Sequence, residues 1–318
     1  MLKAAVVGCG PIGRAHMRAL SAIEGVEIAA LVDRQLHLAE EAAQKFGGQA
    51  FGDVAELPSD IDLATVATPP MHHHEPVAAL LGRGIHTLCE KPLTLDVARA
   101  EELAEASRQK GALLLIGFKM RFEPVFVRAR ELIEEIGPLR AIVTAKMQPH
   151  RERPGNDWVP RVGAMYELSI HDLDLVRFIT GRDPTAVSAM LRIPPGWTRE
   201  KAFALHVRYG DDVIGSHTGL YTEACQFMYR DLTMQFMGER GYMTVRRPDR
   251  IGMHLEEYRE ETVDPSTVNS FAAEMTNFRD AVLGKAEPAT SARDGVIGTR
   301  LVEAAFAAGQ QDGRWVHC

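Results

Sequence analysis

A run of apolar residues at 3–8 ends in Gly8-Cys9-Gly10-Pro11-Ile12-Gly13, and a helical pattern opens at Pro11. A GxGxxG turn between a buried strand and a helix constrains the fold more than any other feature of this chain. Its three glycines have separate tasks. Gly8 permits the tight turn, Gly10 lets the backbone approach a pyrophosphate, and Gly13 lets helix and strand pack closely. The helix N-terminus beginning at Pro11 and Ile12 offers N–H groups and a partial positive charge to the phosphates. Asp33 stands at the end of the next apolar run, 26–32. A carboxylate there accepts hydrogen bonds from ribose hydroxyls and repels a 2′-phosphate, which favours NAD. Arg34 follows directly and is able to pair with a 2′-phosphate or stack on adenine, so NADP stays open.

The pattern of the first strand and helix repeats. Apolar runs at 63–67, 85–89 and 113–117 alternate with helical stretches at 35–46, 72–83 and 94–110. Short continuous apolar strands separated by helices indicate a parallel sheet covered on both faces, hence a doubly wound α/β Rossmann domain over residues 1–120. The pattern changes afterwards. In 203–209 Phe203, Leu205, Val207 and Tyr209 alternate with polar residues, and 213–220 follows a Gly-Asp-Asp turn. A second hairpin is expected at 233–246, turning at GERG, and two helices over 269–309 break at 284–288. Residues 121–318 therefore read as an α+β domain with a large, mostly antiparallel sheet.

With 318 residues the chain accommodates two cores. A formal net charge of −7 argues against a nucleic-acid-binding face. Cys9, Cys89, Cys225 and Cys318 are too scattered for a disulfide framework. Reduced thiols, with no signal segment and no long apolar run, lead us to expect a cytoplasmic protein with no membrane span.

Residues 64–95 contain Thr68-Pro69-Pro70-Met71-His72-His73 after one strand and Glu90-Lys91-Pro92 after the next. Residues 115–124 read LIGFKMRFEP, and 163–181 read GAMYELSIHDLDLVRFITG. In this order these segments resemble the TPxxxH, EKP, GFxxRFxP and Asp-x-x-x-His-Asp motifs of the glucose–fructose oxidoreductase/inositol dehydrogenase/rhizopine catabolism (Gfo/Idh/MocA) family. The resemblance implies a nicotinamide-dependent oxidoreductase acting on a secondary alcohol or carbonyl of a sugar, cyclitol or sugar derivative. It also admits members that hold NAD tightly for glycoside cleavage or sugar–sugar hydride exchange, and a dinucleotide-binding regulator. It implies that Thr68, Pro69 and His73 line the cofactor. Lys91 would contact substrate and cofactor beside a cis proline peptide, with Glu90 holding the turn. Homodimers or homotetramers formed through the open sheet face are expected.

The chemistry agrees. A lysine at the carboxyl end of a parallel strand is placed to steady a developing alkoxide. His171 is the candidate general base, since imidazole titrates near neutral pH. Glu167, four residues earlier, shares its face if the segment is helical, and is a candidate to bind a substrate hydroxyl. The family usually has aspartate there, and its double glycine is reduced here to Gly163-Ala164. Arg121 matches a family arginine and is a candidate substrate contact, while Lys119 stands where asparagine is common. Asp172, Asp174 and Arg177 are expected to make structural contacts. The loop 149–161, with Arg151, Asn156, Trp158 and Arg161, fits a substrate pocket, and equally a solvated loop or a subunit contact. His72, His73 and His74 are consecutive and diverge on a helix, so no metal site is expected.

Overall fold

The computed structural model describes residues 1–150, 157–222 and 231–318. The chain divides into two units. One comprises Met1–Lys119 with Asn269–Thr299, the other Met120–Val268 with Arg300–Cys318.

The first unit opens with β1 (Leu2–Val7), α1 (Pro11–Ser21), β2 (Val26–Val32), α2 (Leu36–Phe46) and β3 (Gln49–Phe51). It continues with β4 (Leu63–Val66), α3 (His74–Gly82), β5 (His86–Glu90), α4 (Val97–Lys110) and β6 (Leu114–Gly117). The strands pair in parallel in the order β3-β2-β1-β4-β5-β6. Ala4–Val7 and all of β4 are buried, as expected of strands covered on both faces. Strand order reverses between β1 and β4, so the loops leaving their carboxyl ends flank the crevice where open α/β sheets take ligands.

The second unit contains α5 (Pro124–Leu132), β7 (Leu139–Pro149), α6 (Val159–Ala164), a π-helical turn (Met165–Ser169) and α7 (Ile170–Thr180). After these come β8 (Ala186–Arg192), β9 (Ala202–Arg208), β10 (Ile214–Thr222), β11 (Asp231–Gly238), β12 (Gly241–Arg246), β13 (Arg250–His254) and β14 (Tyr258–Thr262). Helices α8 (Ser270–Val282) and α9 (Ala292–Gly309) and the short β15 (Val316–His317) complete the chain. Nine strands form one sheet, β14-β13-β12-β11-β7-β10-β9-β8-β15, antiparallel throughout except for the parallel pair β7–β10. The two expected hairpins are β9–β10 and β11–β12. On β9, Phe203, Leu205 and Val207 are buried while His206 and Arg208 are exposed, the signature of a sheet with one covered face.

Residues 121–318 do not form one unbroken segment, because 269–299 returns to the first unit. The reason is apolar burial: Met275 and Phe278 of α8 enter the core of Ala4, Val6, Met17, Leu20, Leu31 and Leu115. Thr290 adds a polar tie at the sheet edge, accepting from Ile116 N–H at 3.0 Å and donating to Ile116 O at 2.9 Å. Among the described residues, no helix is long and apolar enough to cross a membrane.

Candidate active site

The glycine turn follows β1, and each glycine is explained by what a side chain would meet. Gly8 has φ +94°, and a Cβ there would lie 2.8 Å from the backbone of Ala67, so the loops after β1 and β4 touch. A Cβ on Gly13 would lie 1.8 Å from Gly8 O. At Gly10 a Cβ would meet nothing within 4 Å. The backbone there borders open space, and α1 begins with Pro11, without a side-chain cap and without an acidic residue in its first turn. Its first N–H groups are available to an anion. Asp33 closes the cradle. Its Oδ2 accepts from Cys9 N–H at 2.9 Å and its Oδ1 from Gln35 N–H at 2.9 Å. Each oxygen keeps a second lone pair for a ribose hydroxyl. Arg34 is exposed. These residues fit a dinucleotide. Asp33→Ala is expected to weaken NAD binding roughly tenfold to hundredfold, and NADP binding less, in parallel fluorescence titrations. Equal losses for the two coenzymes would show that Asp33 does not read the ribose.

The loops after β4 and β5 are joined by His73. The ring is fully buried, with Nε2 2.8 Å from Thr68 O and Nδ1 2.7 Å from Pro92 O. His73 thus holds the two loops together, and its enclosure corrects the expectation that it contacts cofactor directly. Thr68 and Pro69 remain at the crevice, the threonine hydroxyl donating to His72 O at 3.1 Å. His72 is exposed and His74 faces Glu102 at 3.1 Å, so the three histidines occupy three different surroundings.

The Lys91–Pro92 peptide is cis. Lys91 is half-buried, and Glu90 beside it turns inward. Glu90 Oε2 accepts from Lys91 N–H at 3.2 Å, and Oε1 lies 3.1 Å from His16 Nε2, a contact that needs the proton on Nε2. Glu90 therefore shapes the turn from beneath, and any part it has in cofactor binding runs through that turn. Burial opposes its charge, but the His16 hydrogen bond and charge, with the Lys91 ammonium, hold its pKa below the ordinary carboxylate value. Glu274 of α8 completes this cluster, with polar atoms of His16, Glu90 and Glu274 all within 4.8 Å of one another. Both Glu274 oxygens are buried without a hydrogen-bond partner among the described residues. Burial first and the Glu90 charge second push its pKa well up, against the pull of Lys119. Folding thus favours the charge on Glu90 and the proton on Glu274.

A carboxyl whose pKa is raised by folding contributes stability below its unfolded value of about 4.5 and loses it as pH rises through the folded value. Glu274→Gln abolishes that loss. In urea unfolding at a series of pH values, its stability is expected to pull progressively ahead of wild type from pH 5 upward. Parallel curves would mean that Glu274 ionises normally.

In the second unit the π-helical turn carries Glu167 and α7 carries His171. From Val162 to Arg177 every residue is buried except Glu167, which is half-buried. Beneath them Lys146 of β7, 3% exposed, donates to Leu168 O at 2.5 Å and to Asp172 Oδ1 at 2.9 Å. Asp174 receives Arg121 in a bidentate pair at 2.6 and 2.8 Å, and Arg177 donates to Asp183 Oδ1 at 2.8 Å. Asp172, Asp174 and Arg177 thus make structural contacts. So does Arg121, whose buried guanidinium serves Asp174. Trp158 is half-buried at the N-terminus of α6 and Arg161 is exposed, while Arg151 and Asn156 lie outside the described residues.

Residues 2–118 match a family model described as oxidoreductase family, NAD-binding Rossmann fold, and residues 126–244 match the GFO/IDH/MocA C-terminal domain. Myo-inositol dehydrogenase Hyg17 of Streptomyces leeuwenhoekii is 33% identical over 250 residues, covering 74% of each chain. The chain belongs to the GFO/IDH/MocA oxidoreductase family. Likeness to the family spans nearly the full length: inositol 2-dehydrogenase of Rhizobium meliloti (strain 1021) is 26% identical over 318 residues, 94% of each chain. The solved structure of GenD2 from gentamicin A biosynthesis, in complex with NAD, superposes with TM-score 0.85 at 25% identity, over 100% of this chain and 96% of that one. As a family member the protein is an oxidoreductase whose N-terminal unit is an NAD-binding Rossmann fold. Sequence reasoning passed over His16, Lys146 and Glu274. Only His16 had a local signal, one helical turn beyond the last glycine of the motif.

Proposed function

We propose that this oxidoreductase is an NAD-dependent dehydrogenase of a secondary alcohol in a cyclitol, sugar or sugar derivative. One observation carries the reading: the glycine cradle after β1 and Lys91 after β5 leave the same carboxyl end of one parallel sheet, with Asp33 beside the cradle. The names of the relatives, inositol dehydrogenases among them, support the substrate class. NAD, when bound, supplies the hydride acceptor. Lys91 Nζ donates to the hydroxyl being oxidised and stabilises its alkoxide character. His171 accepts the hydroxyl proton, and Glu167 accepts a hydrogen bond from a neighbouring hydroxyl. Trp158 joins the substrate wall, and Arg121 acts through α7. The reading includes a homodimer or homotetramer, supported by Val143, Met147, Ile214 and Tyr242 exposed on the large sheet. It also includes the cytoplasm, supported by the unbridged thiols of Cys9, Cys89 and Cys318.

The test is a screen of NAD reduction over free sugars, cyclitols and sugar acids, followed by NADH absorbance. At least one compound is expected to give NADH stoichiometrically. Intact NAD binding with no NADH from the whole panel would sink the reading.

A further inference from the structure

We propose that Glu200, with Arg199, is a positioning residue that sets the turn presenting Glu167. The inference rests on the function proposed above for Glu167 and His171. Its geometry lies wholly within the second unit.

The segment needs an external support. Gly163 has φ +86° and interrupts the helical backbone just before the π turn. The N–H groups that open a helical segment have no carbonyl one turn earlier to bond. Glu200 supplies an acceptor to two of them from across the fold. Its main-chain oxygen accepts from Ala164 N–H at 2.8 Å, and its Oε1 accepts from Met165 N–H at 2.7 Å. The glycine is required by this contact as well as by its φ. A Cβ on Gly163 would lie 2.5 Å from Glu200 Oε1 and 2.8 Å from Arg199 Cβ. Arg199 extends the grip by one residue, its guanidinium lying 5.5 Å from the centre of the Tyr166 ring. That guanidinium is itself fixed, donating to Glu303 at 2.8 Å and lying 3.8 Å from the centre of the Phe306 ring. Two consecutive residues thus hold three consecutive residues, 164–166, and pack against Gly163.

Downstream, Lys146 holds Leu168 O and Asp172. Glu167 is the residue between the two grips, and the half-buried one in an otherwise buried stretch. Glu200 is fully buried and its Oε2 has no hydrogen-bond partner among the described residues, a costly placement whose evident use is the acceptor that Oε1 offers two residues before Glu167. The upstream grip needs an acceptor at the reach of Oε1, and it does not need a negative charge there.

The experiment compares Glu200→Gln, Glu200→Asp and Glu200→Ala in the full chain. Glutamine keeps the acceptor, aspartate withdraws it by one methylene, and alanine removes it. Hydrogen–deuterium exchange of peptides covering 162–170 gives a readout that does not require turnover. Exchange is expected to stay at the wild-type rate in the glutamine variant, and to rise about tenfold in aspartate and more in alanine. Peptides over the glycine turn at 8–13 are expected to keep their rates. With a substrate in hand, kcat per folded molecule should fall, and KM for the polyol rise, in the same order, with NADH affinity unchanged. Wild-type exchange at 162–170 in the aspartate variant overturns the proposal, even if the alanine variant fails to fold. So does a glutamine variant as fast-exchanging as alanine. If exchange follows the expected order but Glu167→Gln leaves KM and kcat untouched, the support is real and the function assigned to Glu167 is wrong.

Discussion

Replacement of His171 by glutamine is expected to lower kcat/KM by roughly 100- to 10,000-fold, the range that a positioned general base contributes. Oxidation of an alcohol breaks the O–H bond and the C–H bond of the same carbinol. Without a base the proton leaves to water, and the barrier rises. Glutamine approximates the volume of the imidazole, which matters because His171 is only 3% exposed and a smaller residue would add a cavity cost to the kinetic one. NADH affinity should be preserved. A glutamine variant within tenfold of wild type would remove His171 from the mechanism.

Lys91→Ala is expected to cost roughly 100- to 1,000-fold in kcat, comparable to removing one donor that stabilises a developing oxyanion. The side chain leaves the turn above Glu90, whose contacts to His16 and to the Lys91 N–H do not involve the ammonium. The turn should therefore persist, and NADH should still bind, which isothermal titration would show. Combining the two substitutions tests whether they serve one reacting hydroxyl. If so, the double variant should be little slower than the worse single one, since groups that act as a unit are not additive. Losses that multiply would mean that the two side chains act on different steps.

Much of this architecture is legible in the chain because local signals and tertiary demands coincide. The glycine turn, β2 and the β9–β10 hairpin are examples: period, turn residues and burial all agree. The central strand β7 was hidden for the opposite reason. Its buried face carries Thr144 and Lys146, and polar residues at core positions blur the alternation that marks a strand. Arg121 and His73 were placed at the site by family motif, and the motif did not say which way each side chain turns. Arg121 is spent on Asp174, and His73 on two carbonyls. Glu200 and Met165 are 35 residues apart and neither carries a local mark of the other. The same holds for Glu274, which reaches Glu90 only because α8 rejoins the first sheet.

That rejoining has a consequence for biogenesis. A ribosome emitting this chain delivers all six strands of the parallel sheet by residue 117, yet withholds Met275 and Phe278 until the whole of 120–268 has emerged. Until then the nascent sheet presents an uncovered apolar flank, the kind of surface that chaperones bind. The coenzyme-binding half is made first and finished late, so a nonsense codon anywhere before residue 269 truncates both halves of the molecule rather than sparing the earlier one.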